Sequence, residues 1–381
     1  MISKRNDKIN LVYVTNVFDQ TQKDLFDALS NSNYFSFKLI IMPKNGYIPT
    51  KTRIINSASY SIVYSENKKQ CIKLLKESEV LILTTQSFNK FRKYFNKKRV
   101  IIKVGEKFYK HPPINLFEKI KRRFGIFVHY RIFEKYKPLY FGIGSFVEED
   151  FKKYKVFSKR CYQFAYFSSM KSHFSCNTNS LKRPIRICWI GRMVEWKNPI
   201  EVINMAKFCK HNNLDVTFTM YSCKNKLFDF VENEIKQNEI QNFLFLKNQI
   251  LGNKVFDEIK KYDFSLVTSG REEGWGLTTQ DSLSQGVPVI ANNLSGATKL
   301  LVIDNYNGFV YNSSCEWELI LKRISIINNE KYRILCNNSL EYIKKVLDVD
   351  LVPVRLFQLI NSIRTEKKYS LFDDGLLKNI F

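Results

Sequence analysis

Two short stretches of this chain gather residue types able to handle a phosphate-bearing ligand. The longer begins Ser269-Gly-Arg-Glu-Glu-Gly-Trp-Gly-Leu-Thr-Thr-Gln-Asp281 and continues to Gly286-Val-Pro-Val-Ile-Ala291. Gly274 and Gly276 permit close backbone approach, and a helix expected from Leu277 to Gln285 would aim its first N–H groups into the same loop, which suits phosphate. Gly286 is a natural stop for that helix. Glu273 precedes it and Asp281 lies within it, so both carboxylates are candidates to accept hydroxyl hydrogens from one polar ligand. Taken alone, the stretch also reads as a glycine-rich turn with a solvated helix face. In the second stretch, Ile190-Gly-Arg-Met-Val-Glu-Trp-Lys197, Arg192 and Lys197 share one loop after Gly191. A guanidinium fork and a mobile ammonium could neutralise a diphosphate leaving group without a metal, whereas two ordinary surface cations are the simpler reading of this loop by itself.

Each stretch follows a short β-rich run, Ile185–Ile190 in one case and Phe264–Thr268 in the other. Similar runs recur at Leu11–Thr15, Phe37–Met42, Val80–Leu83, Val100–Lys103, Val216–Met220, Phe243–Leu246 and Val287–Ala291. Between them lie segments of helical spacing, including Asp24–Leu29, Pro199–Lys210 and Val255–Lys261, a pattern that predicts parallel sheets with crossover helices. A Ser- and Asn-rich stretch before Pro184 breaks the series. The expected organisation is an N-terminal Rossmann-like domain over 1–168, a linker over 169–183, a second domain over 184–351, and a segment over 352–381 that returns to the first. Two such α/β domains would face each other across a cleft at the carboxyl ends of their strands.

The chain has 381 residues, with 61 Lys and Arg against 36 Asp and Glu, a net charge of +25. Apolar residues make up 44% and aromatics 14%, which excludes a disordered polyelectrolyte. No apolar run approaches the roughly 18–20 residues that cross a bilayer. The first residues lead into a strand pattern rather than a signal peptide, so a cytoplasmic location is expected. The eight cysteines have neither zinc-site nor redox spacing and read as reduced structural thiols. Between Lys90 and Arg160, 21 basic residues face 6 acidic ones. There Leu116, Phe117, Ile120, Phe124 and Phe127 alternate with Lys119, Lys121, Arg122 and Arg123. Such a segment either lies on anionic lipid or forms a core helix with a basic solvent side. Gly125 argues against one uninterrupted helix. No nucleic acid is expected as a partner, because no zinc-finger spacing, RNA-recognition signature or basic zipper is present.

With these motifs in their order, residues 184–345 resemble retaining nucleotide-sugar glycosyltransferases of family 4, which have the α/β GT-B fold, two Rossmann-like domains facing a central cleft. Gly191-Arg192 with Lys197 resembles the family's diphosphate motif, and Glu273-Gly-Trp-Gly-Leu…Asp281 its paired-carboxylate motif. Gly286-Val-Pro-Val-Ile and Asn307-Gly-Phe-Val310 match the strand and turn that follow. The resemblance implies that Arg192 and Lys197 hold the donor diphosphate and Glu273 the donor sugar. Gly274, Trp275, Gly276 and Leu277 would line the donor site, Lys247 and Asn248 would meet the base, and Asp281, where the family usually has Glu, would meet the ribose. The first half is similar to the N-terminal domains of capsule and cell-surface polysaccharide glycosyltransferases through Val104-Gly-Glu-Lys-Phe-Tyr-Lys110 and Asp150…Tyr154. Asn16, in a first-strand loop that lacks the family's glycine, and Glu106, Lys107 and His111 are candidates for the N-domain side of the cleft, or ordinary loop residues. The implied activity is transfer from a nucleoside-diphosphate sugar, UDP-sugar by resemblance, to a glycan or lipid-linked glycan, with no cofactor and no metal, and the basic apolar segment around Leu116–Phe127 adds the expectation of an anionic membrane surface on the cytoplasmic face as partner. The alternatives are a nucleotide-sugar hydrolase or epimerase of the same fold, and a non-catalytic nucleotide-sugar or polyanion-binding module.

Overall fold

A computed structural model describes residues 8–43, 58–84, 88–157, 159–167, 181–252, 254–365 and 371–380. The chain divides into two units, Met1–Ser169 together with Leu347–Phe381, and Met170–Val346. The connection expected over 169–183 lies, up to residue 180, outside the described residues.

The first unit runs β1 (Ile9–Thr15), α1 (Gln20–Asn31), β2 (Phe35–Ile41), β3 (Ser61–Val63), α2 (Lys68–Glu77), β4 (Val80–Leu83), β5 (Val100–Gly105), α3 (Leu116–Glu134), β6 (Leu139–Ile143), α4 (Val147–Tyr154) and β7 (Cys161–Phe164). Its strands are parallel, in the order β3-β2-β1-β4-β5-β6-β7. The second unit runs β8 (Ile185–Ile190), α5 (Pro199–His211), β9 (Val216–Ser222), α6 (Lys226–Gln237), β10 (Leu244–Asn248), α7 (Lys254–Ile259), β11 (Phe264–Val267), α8 (Leu277–Ser284), β12 (Val289–Asn292), α9 (Thr298–Leu301), β13 (Gly308–Tyr311), α10 (Ser314–Ser325) and α11 (Asn329–Val346). Its parallel order, β10-β9-β8-β11-β12-β13, is the doubly wound Rossmann arrangement. Both faces of such a sheet are covered, which is why β4 (Val-Leu-Ile-Leu) and β6 (Leu-Tyr-Phe-Gly-Ile) are buried at every position. In the second core, burial pushes the Cys188 and Cys209 thiols up to about 12, so both stay protonated and inert.

The order of each sheet reverses between its first and fourth strands, β1 and β4 in one unit and β8 and β11 in the other. Crossovers leave such neighbours in opposite directions, so the loops beyond their carboxyl ends part and leave room for a ligand.

Helix α3 corrects one expectation, because it continues through Gly125. A mid-helix glycine costs only about 1 kcal/mol. Against that, Asn115 caps the N-terminus by accepting from the Glu118 N–H at 2.8 Å, and Glu118 accepts from Arg122 Nε at 3.0 Å. The core side of α3 carries Ile126, Tyr130 and Phe133, all buried, whereas Leu116, Phe117, Ile120, Phe124 and Phe127 are all more than half exposed. Among the described residues no helix is long and apolar enough to cross a membrane.

The final helix, α12 (Leu351–Arg364), belongs to the first unit. Phe357 stacks on Tyr34 with ring centroids 4.7 Å apart, and Arg364 reaches Glu79 at 3.0 Å. Asp348-Val-Asp350 forms the turn into this helix, the Asp350 N–H donating to Asp348 Oδ1 at 3.0 Å. Beyond α12, the Leu377 N–H donates to the Gln163 carbonyl at 2.8 Å and the Gln163 N–H to the Lys378 carbonyl at 2.8 Å. These bonds cover the open edge of β7.

In the second unit β12 and β13 approach so closely that a Cβ on Gly308 would lie 2.2 Å from the Val289 carbonyl oxygen. Backbone cannot yield as a side chain does. Gly308→Ala is therefore expected to destabilise this unit by at least about 3 kcal/mol, read from its denaturant midpoint. A variant as stable as the parent would show that the two strands do not pack this tightly.

Candidate functional site

At the end of β8 the Gly191 N–H donates to the Tyr221 carbonyl at 3.2 Å, while a Cβ on Gly191 would meet the Trp189 ring at 3.1 Å. Arg192 is exposed, with its guanidinium over the Trp196 ring at 5.6 Å. A short 3-10 turn, Glu195–Lys197, follows, and Asn198 takes the left-handed conformation (φ 48°) that directs the chain into Pro199 at the start of α5. Thr268, just past β11, ties this loop to the next strand. Its hydroxyl accepts from Trp189 Nε1 at 2.9 Å and donates to the Lys197 carbonyl at 2.5 Å. The Gly270 N–H donates to the Trp196 carbonyl at 2.8 Å. With the two loops joined in this way, Lys197 Nζ forms an ion pair with Glu273, their side chains only 13% and 16% exposed.

The glycine-rich turn is clamped from its other side. A Cβ on Gly296 would fall 1.9 Å from the Gly274 carbonyl oxygen, and the Ala297 N–H donates to the Trp275 carbonyl at 2.7 Å. Trp275 is buried, its Nε1 donating to Gln280 Oε1 at 3.0 Å. Gly276 turns the chain into α8 with φ 97°, a conformation that favours glycine. No side chain caps α8, so the positive end of its dipole faces the loop. Thr278 Oγ1 donates to the Ile190 carbonyl at 3.0 Å, which fixes the helix start against the end of β8.

Sequence reasoning expected Glu273 and Asp281 to face one ligand together. The structure leaves Glu273 partly exposed but encloses Asp281, 2% exposed, within the run Thr279–Ser284 that α8 buries. Lys247 and Asn248 end β10 in exposed positions. Lys247 Nζ lies 3.3 Å from the Tyr221 hydroxyl, which also bonds the Tyr262 hydroxyl at 2.7 Å.

In the first unit Asn16 is half-buried just past β1. Glu106 follows β5, where Oε1 accepts from the Tyr166 hydroxyl at 3.1 Å, the carbonyl accepts from Tyr140 at 2.9 Å, and Lys110 Nζ is 3.8 Å away. The Lys107 ammonium lies over the Phe146 ring at 5.4 Å. Asp150 fixes the loop by accepting from the Phe108 N–H at 2.8 Å. Glu106 and Lys107 line a cavity of about 890 Å³, while Asn16 and His111 do not. His111 is exposed, its carbonyl accepting from Arg122 Nη1 at 2.6 Å.

Thr268, Gly296 and Lys103 escaped the sequence reading. A lone Lys inside the apolar run Val100–Val104 and a second glycine loop at Ser295-Gly296 were the available signals.

Removing one member of this half-buried ion pair leaves the other charge poorly solvated, at less than the roughly 3–5 kcal/mol that a fully buried pair would cost. Lys197→Met is thus expected to destabilise the second unit by about 1–3 kcal/mol. The double variant Lys197→Met with Glu273→Gln should lose less than the two single losses together, measured by denaturant unfolding in a double-mutant cycle. Strict additivity would mean that the two side chains do not interact.

Residues 174–346, nearly the whole second unit, match the family model of glycosyl transferases group 1. An uncharacterized glycosyltransferase of Methanocaldococcus jannaschii is 32% identical over 162 residues, covering 41% of this chain and 42% of that protein. The poly(glycerol-phosphate) alpha-glucosyltransferase of Bacillus subtilis is 26% identical over 121 residues, 32% of this chain and 17% of that protein. The matched segment thus spans less than half the length of either curated relative. The solved structure of Anabaena HepE in complex with UDP and glucose superposes with a TM-score of 0.64 at 12% identity, covering 93% of this chain and all of that one. The chain therefore has the α/β fold of GT-B glycosyltransferases, and its second unit carries a glycosyl transferases group 1 domain.

Proposed function

We propose that the protein is a retaining glycosyltransferase of family 4, moving a sugar from a UDP-sugar to a glycan or lipid-linked glycan in cell-surface polysaccharide synthesis. The observation that carries this reading is the Lys197–Glu273 pair, held at the carboxyl ends of β8 and β11 by the loop that also bears Arg192. Supporting it, Anabaena HepE binds UDP and glucose in its crystal structure, and the Bacillus relative is a glucosyltransferase for poly(glycerol phosphate).

As the donor's anomeric carbon becomes oxocarbenium-like, negative charge grows on the departing diphosphate. Fixed cations at the leaving oxygens stabilise that charge where it forms. Arg192 and Lys197 have this part, aided by the N-terminus of α8. Glu273 accepts from donor-sugar hydroxyls, and Lys197 holds its carboxylate in place. Gly191 and the Gly274–Leu277 turn let the main chain approach the phosphates, and Lys247 and Asn248 flank the base. The acceptor hydroxyl attacks from the face that the diphosphate leaves, and the leaving phosphate takes its proton. Asp281 is assigned to the ribose through the resemblance alone, since its enclosure calls for a shift of α8 or a bridging water.

The test is a panel of UDP- and GDP-sugars with lipid extracts, read by mass spectrometry. A glycosylated product is expected, with Glu273→Gln and Arg192→Ala each lowering kcat/KM by about 2–4 kcal/mol of transition-state stabilisation. Turnover should persist in EDTA, because the basic pair neutralises the leaving group. Free sugar, an isomerised donor, or binding without turnover would indicate a hydrolase, an epimerase or a binding module respectively, and full activity in both variants would remove the clamp.

The same reading places the enzyme peripherally on the cytoplasmic membrane face. Ile114, Phe117 and Phe124 of the α3 region are 91%, 76% and 67% exposed, and Lys119, Lys121 and Arg123 are exposed among them. Apolar insertion and about 1 kcal/mol of attraction per basic residue would act together. Sedimentation with anionic vesicles should show binding that high salt weakens and that Lys119→Glu, Lys121→Glu and Arg123→Glu together abolish. Equal binding to neutral vesicles would refute the electrostatic part.

A further inference from the structure

Tyr221 stands at the carboxyl end of β9, paired with Ile190 of β8 on one side and with Lys247 of β10 on the other. Its carbonyl accepts from the Gly191 N–H at 3.2 Å, at the start of the loop that bears Arg192 and Lys197. Its side chain is buried, and the hydroxyl meets Glu258 Oε1 at 2.5 Å, the Tyr262 hydroxyl at 2.7 Å and Lys247 Nζ at 3.3 Å. A phenol has one proton to donate. The shortest contact assigns it to the Glu258 carboxylate, so Tyr262 and Lys247 both donate to the Tyr221 oxygen. Burial and the bond to Glu258 push the Tyr221 hydroxyl far above its ordinary range, which keeps that proton in place at neutral pH. Lys261 Nζ, 2.7 Å from Glu258 Oε2, occupies the other carboxylate oxygen.

Lys247 is the exposed end of this network. Strand β10 is the edge of its sheet, and a lysine on an edge strand commonly does no more than deter further pairing. Such a lysine extends into water. Lys247 instead turns its ammonium back over the Tyr221 ring, 5.4 Å from the centroid, and bonds the hydroxyl. An ammonium has three N–H donors, and among the described residues only the Tyr221 oxygen accepts from this one. The other two are left for a ligand. Two strand spacings, about 10 Å, separate the ends of β8 and β10, so a nucleotide whose diphosphate lies at Arg192 and Lys197 can extend its base to Lys247.

We propose that Lys247 reads the donor base by donating to a carbonyl oxygen of its ring, with Tyr221 and Glu258 as the residues that position it. A ring carbonyl, as in uracil or guanine, accepts from the ammonium. The amino group that stands in its place in cytosine or adenine donates, and so sets its hydrogens against a cation. The site therefore takes a keto base and turns away an amino base. Tyr221 joins the diphosphate loop through its main chain and Lys247 through its side chain, which holds the two ends of the ligand site at one separation. The inference deepens the nucleotide-sugar reading and rests on it for the place of the base.

The experiment titrates the full chain by calorimetry with two pairs of nucleoside diphosphates. UDP and CDP differ in carbonyl against amino on a pyrimidine, and GDP and ADP present the same contrast on a purine. Wild-type protein is expected to bind the keto member of one pair at least about tenfold tighter than its amino partner. The pair that shows the preference identifies the base as pyrimidine or purine. Lys247→Met, at an exposed position, should bring the ratio to within about twofold, chiefly by weakening the keto member. Tyr221→Phe, which keeps the ring and removes only the hydroxyl, should lower the ratio at least about threefold, and Lys247→Arg should retain the preference. Arg192→Ala should weaken both members alike, which separates a general loss of binding from a loss of base reading. Equal affinity for both members of each pair in the wild type, or an unchanged ratio in Lys247→Met or Tyr221→Phe, overturns the proposal. Failure of all four nucleotides to bind at about 10 mM refutes the nucleotide-sugar reading itself, and the proposal with it.

Discussion

Taking Lys197 and Glu273 out of bulk water costs several kcal/mol per ion, and their attraction offsets this only if the geometry is held firmly. The surroundings of the pair supply that firmness through main-chain atoms. Thr268 binds the Lys197 carbonyl, Gly270 binds the Trp196 carbonyl, and the Gly274 carbonyl lies where any side chain at position 296 would have to go. None of these contacts touches the charged atoms, yet each limits how far the two loops can separate. The reversal of strand order between β8 and β11 brings the loops together, and the ion pair records how closely. A ligand that carries charge into this place finds cation and carboxylate already oriented, so little reorganisation is left for the reaction itself.

Much of this was legible in the chain. Runs such as Ile185–Ile190 and Phe264–Val267 are unmistakable strands because both faces of a doubly wound sheet are covered, and the loops after them carried the expected residues. Strands with weaker signatures were lost. The run of β6 contains Gly142, which is there because a Cβ would meet Val147 of α4 at 2.7 Å, and that tertiary reason has no local signal. Asp281 shows the limit at the site: its spacing from Glu273 is visible in the sequence, but its enclosure depends on the packing of α8.

Helix α3 illustrates a different limit. Its apolar residues are frequent enough to form two stripes, and periodicity alone cannot say which one meets the core. Ile126, Tyr130 and Phe133 do so, and the more conspicuous phenylalanines are left on the surface. Leaving large apolar side chains in water forgoes roughly 1.5–3 kcal/mol for each one that could have been buried. A surface of this kind marks an interaction site more often than a monomer's ordinary exterior.

The first unit is assembled from both ends of the chain. Phe357 stacks on Tyr34, Arg364 reaches Glu79, and the residues around Leu377 pair with the edge strand β7. During synthesis the second unit, made of one continuous stretch, emerges before the residues that complete the first, whose sheet until then lacks the helix beside α1 and the cover of its β7 edge. Vectorial translation would ordinarily let the N-terminal domain mature first. Here the first unit is complete only once the last residues have been made, after the whole of the second unit.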